Sequence, residues 1–442
     1  MNNALFRVDG TMNIAIVGGG MMGMTLAYRL SEQGNRVTLF EGSPQLGGLT
    51  THHDYGSFVW DRFYHVILPS DQALIALLKE IGLGDELDWQ KTLTGFYDGK
   101  QFYSISNSIE FLKFPPLNLL DKIRLAFTLL YGSRIKNWKK LETIRAEDWL
   151  ISLSGRGTYE KMWKPLLRAK LGENYKRVSA VFIWAYISRL FSARDSSLKK
   201  EELGYVRGGY KTVFDRLTAL IQSTGGKVLT GISVESIVPH PSGGLWVEHS
   251  QRKEHFDKVI FTGPVNVLEQ VAAKELVNVS GNGNAIEYMG VVCMVLLTRK
   301  PLVPYYVVNI ADQKVPFTGV IGMSNLVDLQ ETNGLHMTFL PKYVLSDDPF
   351  LKESNESIEK YFLDGLRSMF PDLRSEDIAG IHINRAFKVQ PLQVLNYSSL
   401  VPHTTVSSKD FYILNTAQLV QDNPNNNAVV RLVDQFLQDQ FL

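Results

Sequence analysis

Residues 14–48 read IAIVGGGMMGMTLAYRLSEQGNRVTLFEGSPQLGG, and this stretch decides the fold. The apolar run 14–17 has the composition of a strand buried on both faces. Gly18, Gly20 and Gly23 then supply a GxGxxG turn into a helix that carries Ala27 and Leu30 on one face and ends at Gly34. Residues 37–40 form the next apolar run, closed by Glu41. Each part has a physical task. Gly18 permits the tight turn out of the strand, Gly20 lets a pyrophosphate approach the backbone, and Gly23 lets helix and strand pack closely. The free N–H groups of the helix start face the phosphate charge. Glu41, twenty-three residues after Gly18, is placed to accept hydrogen bonds from a ribose diol.

A second glycine pair, Gly47-Gly48, follows that acidic residue. With the first loop it resembles the flavoprotein amine oxidase superfamily, which includes protoporphyrinogen oxidases, carotenoid desaturases and UDP-galactopyranose mutases. The resemblance implies FAD rather than NAD, with the segment after the second strand running under the flavin side. Members often carry Arg after the glycines; here Leu49 stands there, and the hydroxyls of Thr50 and Thr51 are the substitute donors. The resemblance also implies a backbone contact to adenine near Val234, with Thr262 closing a further strand of the nucleotide layer.

The 442 residues suffice for one large interrupted core or two domains. Apolar residues make up 45% and charged residues 21%, and the net charge of +1 gives no general attraction to nucleic acid. The single cysteine, Cys293, excludes an internal disulfide, and its apolar surroundings read as a buried, inert thiol. His52-His53 with Asp54 lacks a second cluster to complete a metal set, so no metal is expected. Residues 1–11 lack a basic leader and a long apolar stretch, Met12 reads as an alternative start, and no run reaches membrane-spanning length. A cytoplasmic protein is expected, its oligomeric state left open.

The texture of the chain implies discontinuous domains. Residues 12–90, 200–270 and 375–442 read as a Rossmann-like FAD-binding α/β domain with a mixed or parallel sheet. Residues 91–199 and 271–374 read as an inserted α+β substrate domain, helical first and then strand-rich. Near the C-terminus a short apolar strand at 411–414 leads into Asn415, Thr416 and Gln418, then into a helix from about Asn427. In the superfamily the corresponding helix start faces the flavin, usually after an acidic residue that this chain lacks. Asn415, Gln418 and Asn427 are therefore the expected polar cofactor contacts there.

The run Trp60-Asp61-Arg62-Phe63-Tyr64-His65 resembles the family's D-x-G-x-H segment beside the flavin ring, with Phe63 in place of Gly. His65 is the candidate acid/base, against the reading of a satisfied core histidine. Arg385 and Lys388 are candidate cationic anchors at the pocket roof; Trp163 and Lys170 are candidates for contact with a planar or anionic substrate. A stripe at helical spacing (Leu119, Leu120, Ile123, Phe127, Leu130, Tyr131) is ringed by basic residues. It reads first as a buried core face, with weak peripheral membrane association as the alternative. The reading that results is an FAD-dependent oxidoreductase, amine oxidase-like, taking a hydride from a small-molecule substrate onto flavin N5. Two alternatives remain: a flavin-dependent nucleotide-sugar mutase, and a non-catalytic nucleotide-binding escort or regulatory protein of the same fold.

Overall fold

The structure, a computed structural model, describes residues 11–192, 202–250, 252–277, 285–405 and 408–441. Residues 1–10 lie outside the described residues, and with them most of the expected N-terminal tail.

A five-stranded parallel sheet organises the nucleotide-binding layer. Its order is Phe411–Ile413, Lys258–Phe261, Asn13–Val17, Arg36–Glu41, Lys227–Thr230. Strand alternation divides the apolar residues between two cores. Ile14, Ile16 and Ile260 face helices Met21–Glu32, Gly209–Ser223 and Asn426–Phe441. Ala15, Val259 and Phe261 face a three-stranded antiparallel sheet spanning 234–256. Both faces are covered, which is why these strands read as continuous apolar runs.

A seven-stranded sheet forms the second layer. Its longest fully buried strand, Tyr288–Thr298, lies between Ile378–Pro391 and His336–Leu345, antiparallel to both. Val292, Met294 and Leu296 point to helix Asn355–Met369, whereas Val291, Cys293 and Val295 point towards Trp60, Tyr205 and Phe339. The strand Ile378–Pro391 lies beyond the expected boundary at residue 375. It completes this second sheet, so the chain returns to the nucleotide-binding layer only beyond Pro391. The remaining layer is helical, from Ser108 to Ser192, and packs around Trp149, Tyr159 and Trp163.

The stripe on helix Leu119–Arg134 is the main departure from expectation. Leu119, Leu120, Ile123, Phe127, Leu130 and Tyr131 are exposed, and the helix buries Asp121, Lys122, Leu125, Thr128 and Gly132 instead. Polar contacts overrode the apolar periodicity. The Asp121 carboxylate accepts from Lys161 Nζ at 2.7 Å and from Thr158 Oγ1 at 3.1 Å, and Lys122 Nζ donates to the Leu112 carbonyl at 2.6 Å.

Candidate active site

The two glycine loops meet at the end of the first strand. Gly47 N donates to Gly19 O at 2.9 Å, and Gly20 and Gly47 form a parallel bridge. Gly18 has φ +114°, and a Cβ there would lie 2.4 Å from Thr262 Oγ1. A Cβ on Gly23 would lie 1.9 Å from the Gly18 carbonyl oxygen, so glycine is mandatory for this helix–strand approach. At Gly20 the nearest atom would be 4.0 Å away, leaving the backbone open to a ligand. The helix beginning there has no side-chain cap and no acidic residue in its first turn, so its N–H groups remain available to an anion.

Glu41 stands beside this loop. Its carboxylate accepts from Gly19 N at 2.6 Å and from Ser43 N at 2.7 Å, and a carboxylate has further lone pairs for ribose hydroxyls. The segment leading to Val234 runs alongside: Ile232 N donates to Glu41 O at 2.9 Å, and Val234 packs in the same core as Phe40. Thr262 donates its hydroxyl to Val17 O at 3.0 Å and thereby locks the first loop.

Several expected contacts serve the protein itself. The Thr50 hydroxyl donates to Gly47 O at 2.8 Å and the Thr51 hydroxyl to Gly48 O at 2.7 Å, so both are spent on holding the second loop. Asn415 and Gln418 cap their own turn. Asn415 N donates to Gln418 Oε1, Asn415 Oδ1 accepts from Ala417 N, and the Gln418 amide donates to the Pro402 and Ile413 carbonyls. Asn427 Oδ1 accepts from Ala73 N and Leu74 N at 3.0 and 3.1 Å, capping the start of helix Gln72–Glu80. A helix start needs such acceptors as much as a cofactor does, and sequence alone does not separate the two.

The run 60–65 returns to the second glycine loop through the hairpin of His52–Asp54 and Val59–Asp61, with Arg62 N donating to Thr51 O at 2.9 Å. Three of its buried nitrogens have no hydrogen-bond partner among the described residues: Trp60 Nε1, Arg62 Nε and His65 Nδ1. His65 Nδ1 is 3.7 Å from Asp61 Oδ2, beyond hydrogen-bond length, while Asp61 Oδ1 accepts from Tyr210 N at 2.9 Å. The His65 ring meets Tyr210 edge-on at 5.5 Å, and Tyr210 bonds Asn426 at the head of the C-terminal helix. The His65 run and the start of that helix, read separately in the sequence, therefore converge. Orphaned buried donors next to an open glycine cradle are the arrangement a flavin nucleotide would satisfy.

Lys170 reaches the same run through two tyrosines. Its Nζ lies 3.4 Å from the Tyr343 ring centroid, and the Tyr343 hydroxyl is 2.7 Å from that of Tyr64. No carboxylate pairs with Lys170 among the described residues, and burial lowers its amine from 10.5 to about 7. Tyr186 lies close by, its hydroxyl pushed up to about 12 by burial. Sequence reading singled out Lys170 but missed Tyr343 and Tyr186. Strand alternation puts Tyr343 on one face with Val291, yet nothing local shows that a lysine from the helical layer arrives above it.

Arg385 is placed elsewhere. It pairs with Val292, on the sheet face turned to helix Asn355–Met369, and donates to Asn355 Oδ1 and Glu353 O at 2.7 and 2.8 Å. Its guanidinium therefore braces that helix on the opposite face of the sheet from Tyr343 and Lys170. Lys388 Nζ lies 5.4 Å from the Tyr288 ring, with its amine lowered by burial, and neither a hydrogen bond nor an ion pair among the described residues links it to His65. His53 Nε2 meets His382 Nδ1 at 3.1 Å, and burial lowers both imidazoles. Burial pushes the Cys293 thiol up, as expected of an inert core cysteine.

A parallel sheet with two adjoining glycine turns and an acidic residue closing the second strand defines a dinucleotide-binding fold. The chain belongs to the flavin-containing amine oxidoreductase family, which matches residues 21–411, and the cofactor of that family is FAD. It is 27% identical over 187 residues to a zeta-carotene desaturase of Zea mays, a match covering 35% of this chain and 31% of that protein. The chain thus spans about a third of the length of the curated relatives it matches. Among solved structures, an oxidoreductase from Methanosarcina mazei aligns with TM-score 0.74 and 20% identity over 97% of this chain and all of that one. Reduced UDP-galactopyranose mutase aligns with TM-score 0.72 and 16% identity over 97% and 96%. These structural likenesses show the fold. Among the described residues, no helix is long and apolar enough to cross a membrane.

Proposed function

We propose that the chain is an FAD-dependent oxidoreductase acting on a small molecule bound between the 60–65 run and Lys170. The carrying observation is the convergence of the open glycine cradle, the unpartnered nitrogens of Trp60, Arg62 and His65, and an uncompensated amine above Tyr343. FAD, when bound, supplies a two-electron acceptor at N5 for hydrogen leaving the substrate as hydride. The protein does the rest. Gly18, Gly20, Gly23 and the helix start would hold the pyrophosphate, Glu41 the ribose, Gly47 and Gly48 the flavin-side phosphate path, and the backbone at Val234 the adenine. Residues 12–90, 200–270 and 392–442 would form the cofactor-binding domain, with the remainder framing the substrate.

His65 orients groups at the cofactor and moves a proton through Nδ1, the atom left without a partner. Lys170, with an amine near neutrality, is suited to take the proton a C–H or N–H substrate gives up. Tyr64 and Tyr343 fix the wall between them and exclude water. The rival mutase chemistry acts on a doubly charged nucleotide-sugar diphosphate. The Lys170 wall carries three tyrosines and one amine, which favours a less charged substrate.

Anaerobic titration of the purified yellow protein with candidate amines and saturated carbon donors tests the reading. Bleaching of the flavin's visible band with stoichiometric product is expected. Conversion of UDP-galactopyranose by the reduced protein, without net redox change, would overturn it in favour of the mutase.

A further inference from the structure

Helix Leu119–Arg134 is fixed in an inverted orientation. Its inward side carries the Asp121–Lys161 ion pair, the Lys122 bond to Leu112 O and a bond from Trp184 Nε1 to Gly132 O at 3.0 Å. These contacts prevent the helix from rolling its apolar side inwards without stranding buried charge. The outward side is apolar along the whole length of the helix, and Phe127 stacks on Tyr131 with ring centroids 5.8 Å apart. The preceding short helix Ser108–Lys113, tied to this one by the Lys122 bond to Leu112 O, adds the exposed side chains of Ile109 and Leu112. Ile109, Leu112, Leu119, Leu120, Ile123 and Phe127 are between 52% and 68% exposed. A continuous apolar surface of this kind on a folded chain marks a binding face.

Charge decides the occupant. Residues 108–141 contain seven Lys or Arg and two acids, and both acids are held internally: Glu110 by Ser104, Ser106 and Asn107, Asp121 by Lys161. Lys113, Arg134, Lys136, Lys139 and Lys140 are exposed, and none of them has an ion-pair partner among the described residues. A two-fold dimer through this face would set cations against cations. A bilayer with anionic headgroups matches both features at once, taking the apolar side chains into the acyl boundary and the cations at the headgroups.

We propose that the face formed by helices 108–113 and 119–134 docks onto the surface of an anionic lipid bilayer without crossing it. The test is co-sedimentation of the flavin-loaded protein with phosphatidylcholine vesicles, with and without phosphatidylglycerol, at moderate salt. Three forms are compared: wild type, I123E/F127E and K136E/K139E/K140E. Wild type should sediment with the mixed vesicles and poorly with phosphatidylcholine alone. I123E/F127E should lose at least tenfold in partitioning. The triple charge variant should lose the preference for phosphatidylglycerol, at roughly fivefold per cation or less. All substituted positions are exposed, so flavin content and melting temperature should match wild type. Failure of wild type to bind mixed vesicles, or equal binding by I123E/F127E, would overturn the proposal. So would a concentration-dependent dimer in sedimentation velocity that I123E/F127E abolishes while vesicle binding is absent, because that outcome assigns the face to a second copy.

Discussion

Replacing Lys170 by Met removes the one amine that the structure buries above Tyr343 without a counter-charge. An amine whose folded pKa is about 7 and whose ordinary value is 10.5 binds fewer protons in the folded chain than in the unfolded one between those limits. Stability therefore rises with pH from about 7 to about 10.5, and the full cost of the buried ammonium is present below about pH 7. The displacement from 10.5 to about 7 corresponds to about 5 kcal/mol at about 1.4 kcal/mol per unit. The side chain keeps some exposed surface, so solvent screening reduces the realised difference to about 2–3 kcal/mol. K170M should melt several degrees above wild type at pH 6, taking roughly 1–2 °C per kcal/mol for a chain of this size. The gain should shrink towards zero by pH 10. Differential scanning calorimetry of both proteins, with and without flavin, measures it. A K170M increment that stays constant from pH 6 to pH 10 would refute the reasoning, since a lost methylene contact has no such pH dependence. The same variant should slow anaerobic flavin reduction by about 10²–10⁴-fold if Lys170 accepts the substrate's proton.

Glu41→Ala removes the acceptor for Gly19 N and Ser43 N and for the ribose, so FAD affinity should fall by roughly tenfold or more; equal flavin retention after dialysis would reject the assignment. Asn427→Ala should cost about 1 kcal/mol of stability through the lost cap on helix Gln72–Glu80, while flavin content after purification stays at the wild-type level. His65→Ala should keep FAD bound and slow its reduction, whereas Arg385→Ala should lower melting temperature and leave the reduction rate unchanged; stopped-flow bleaching separates the pair.

The sequence by itself determined the nucleotide-binding layer. Gly18, Gly23 and the run 14–17 admit few other structures, because a Cβ at either glycine collides with backbone or a locked side chain. Local chemistry of this kind is written in consecutive residues, and so is the acidic end at Glu41. Tertiary structure decided the rest. Asn427 and Gln418 have the residue types of cofactor contacts, but helix starts and turns competed for the same donors and acceptors and took them. Arg385 fell on the far face of its sheet because strand register, fixed by pairing with Val292, sets which way each side chain points. The stripe at 119–131 has the periodicity of a core face. It was turned outwards by Lys161, a residue forty positions from Asp121, because stranding a buried carboxylate costs more than exposing leucines. The cluster of Tyr64, Lys170 and Tyr343 depends on three segments meeting, and no single segment announces it.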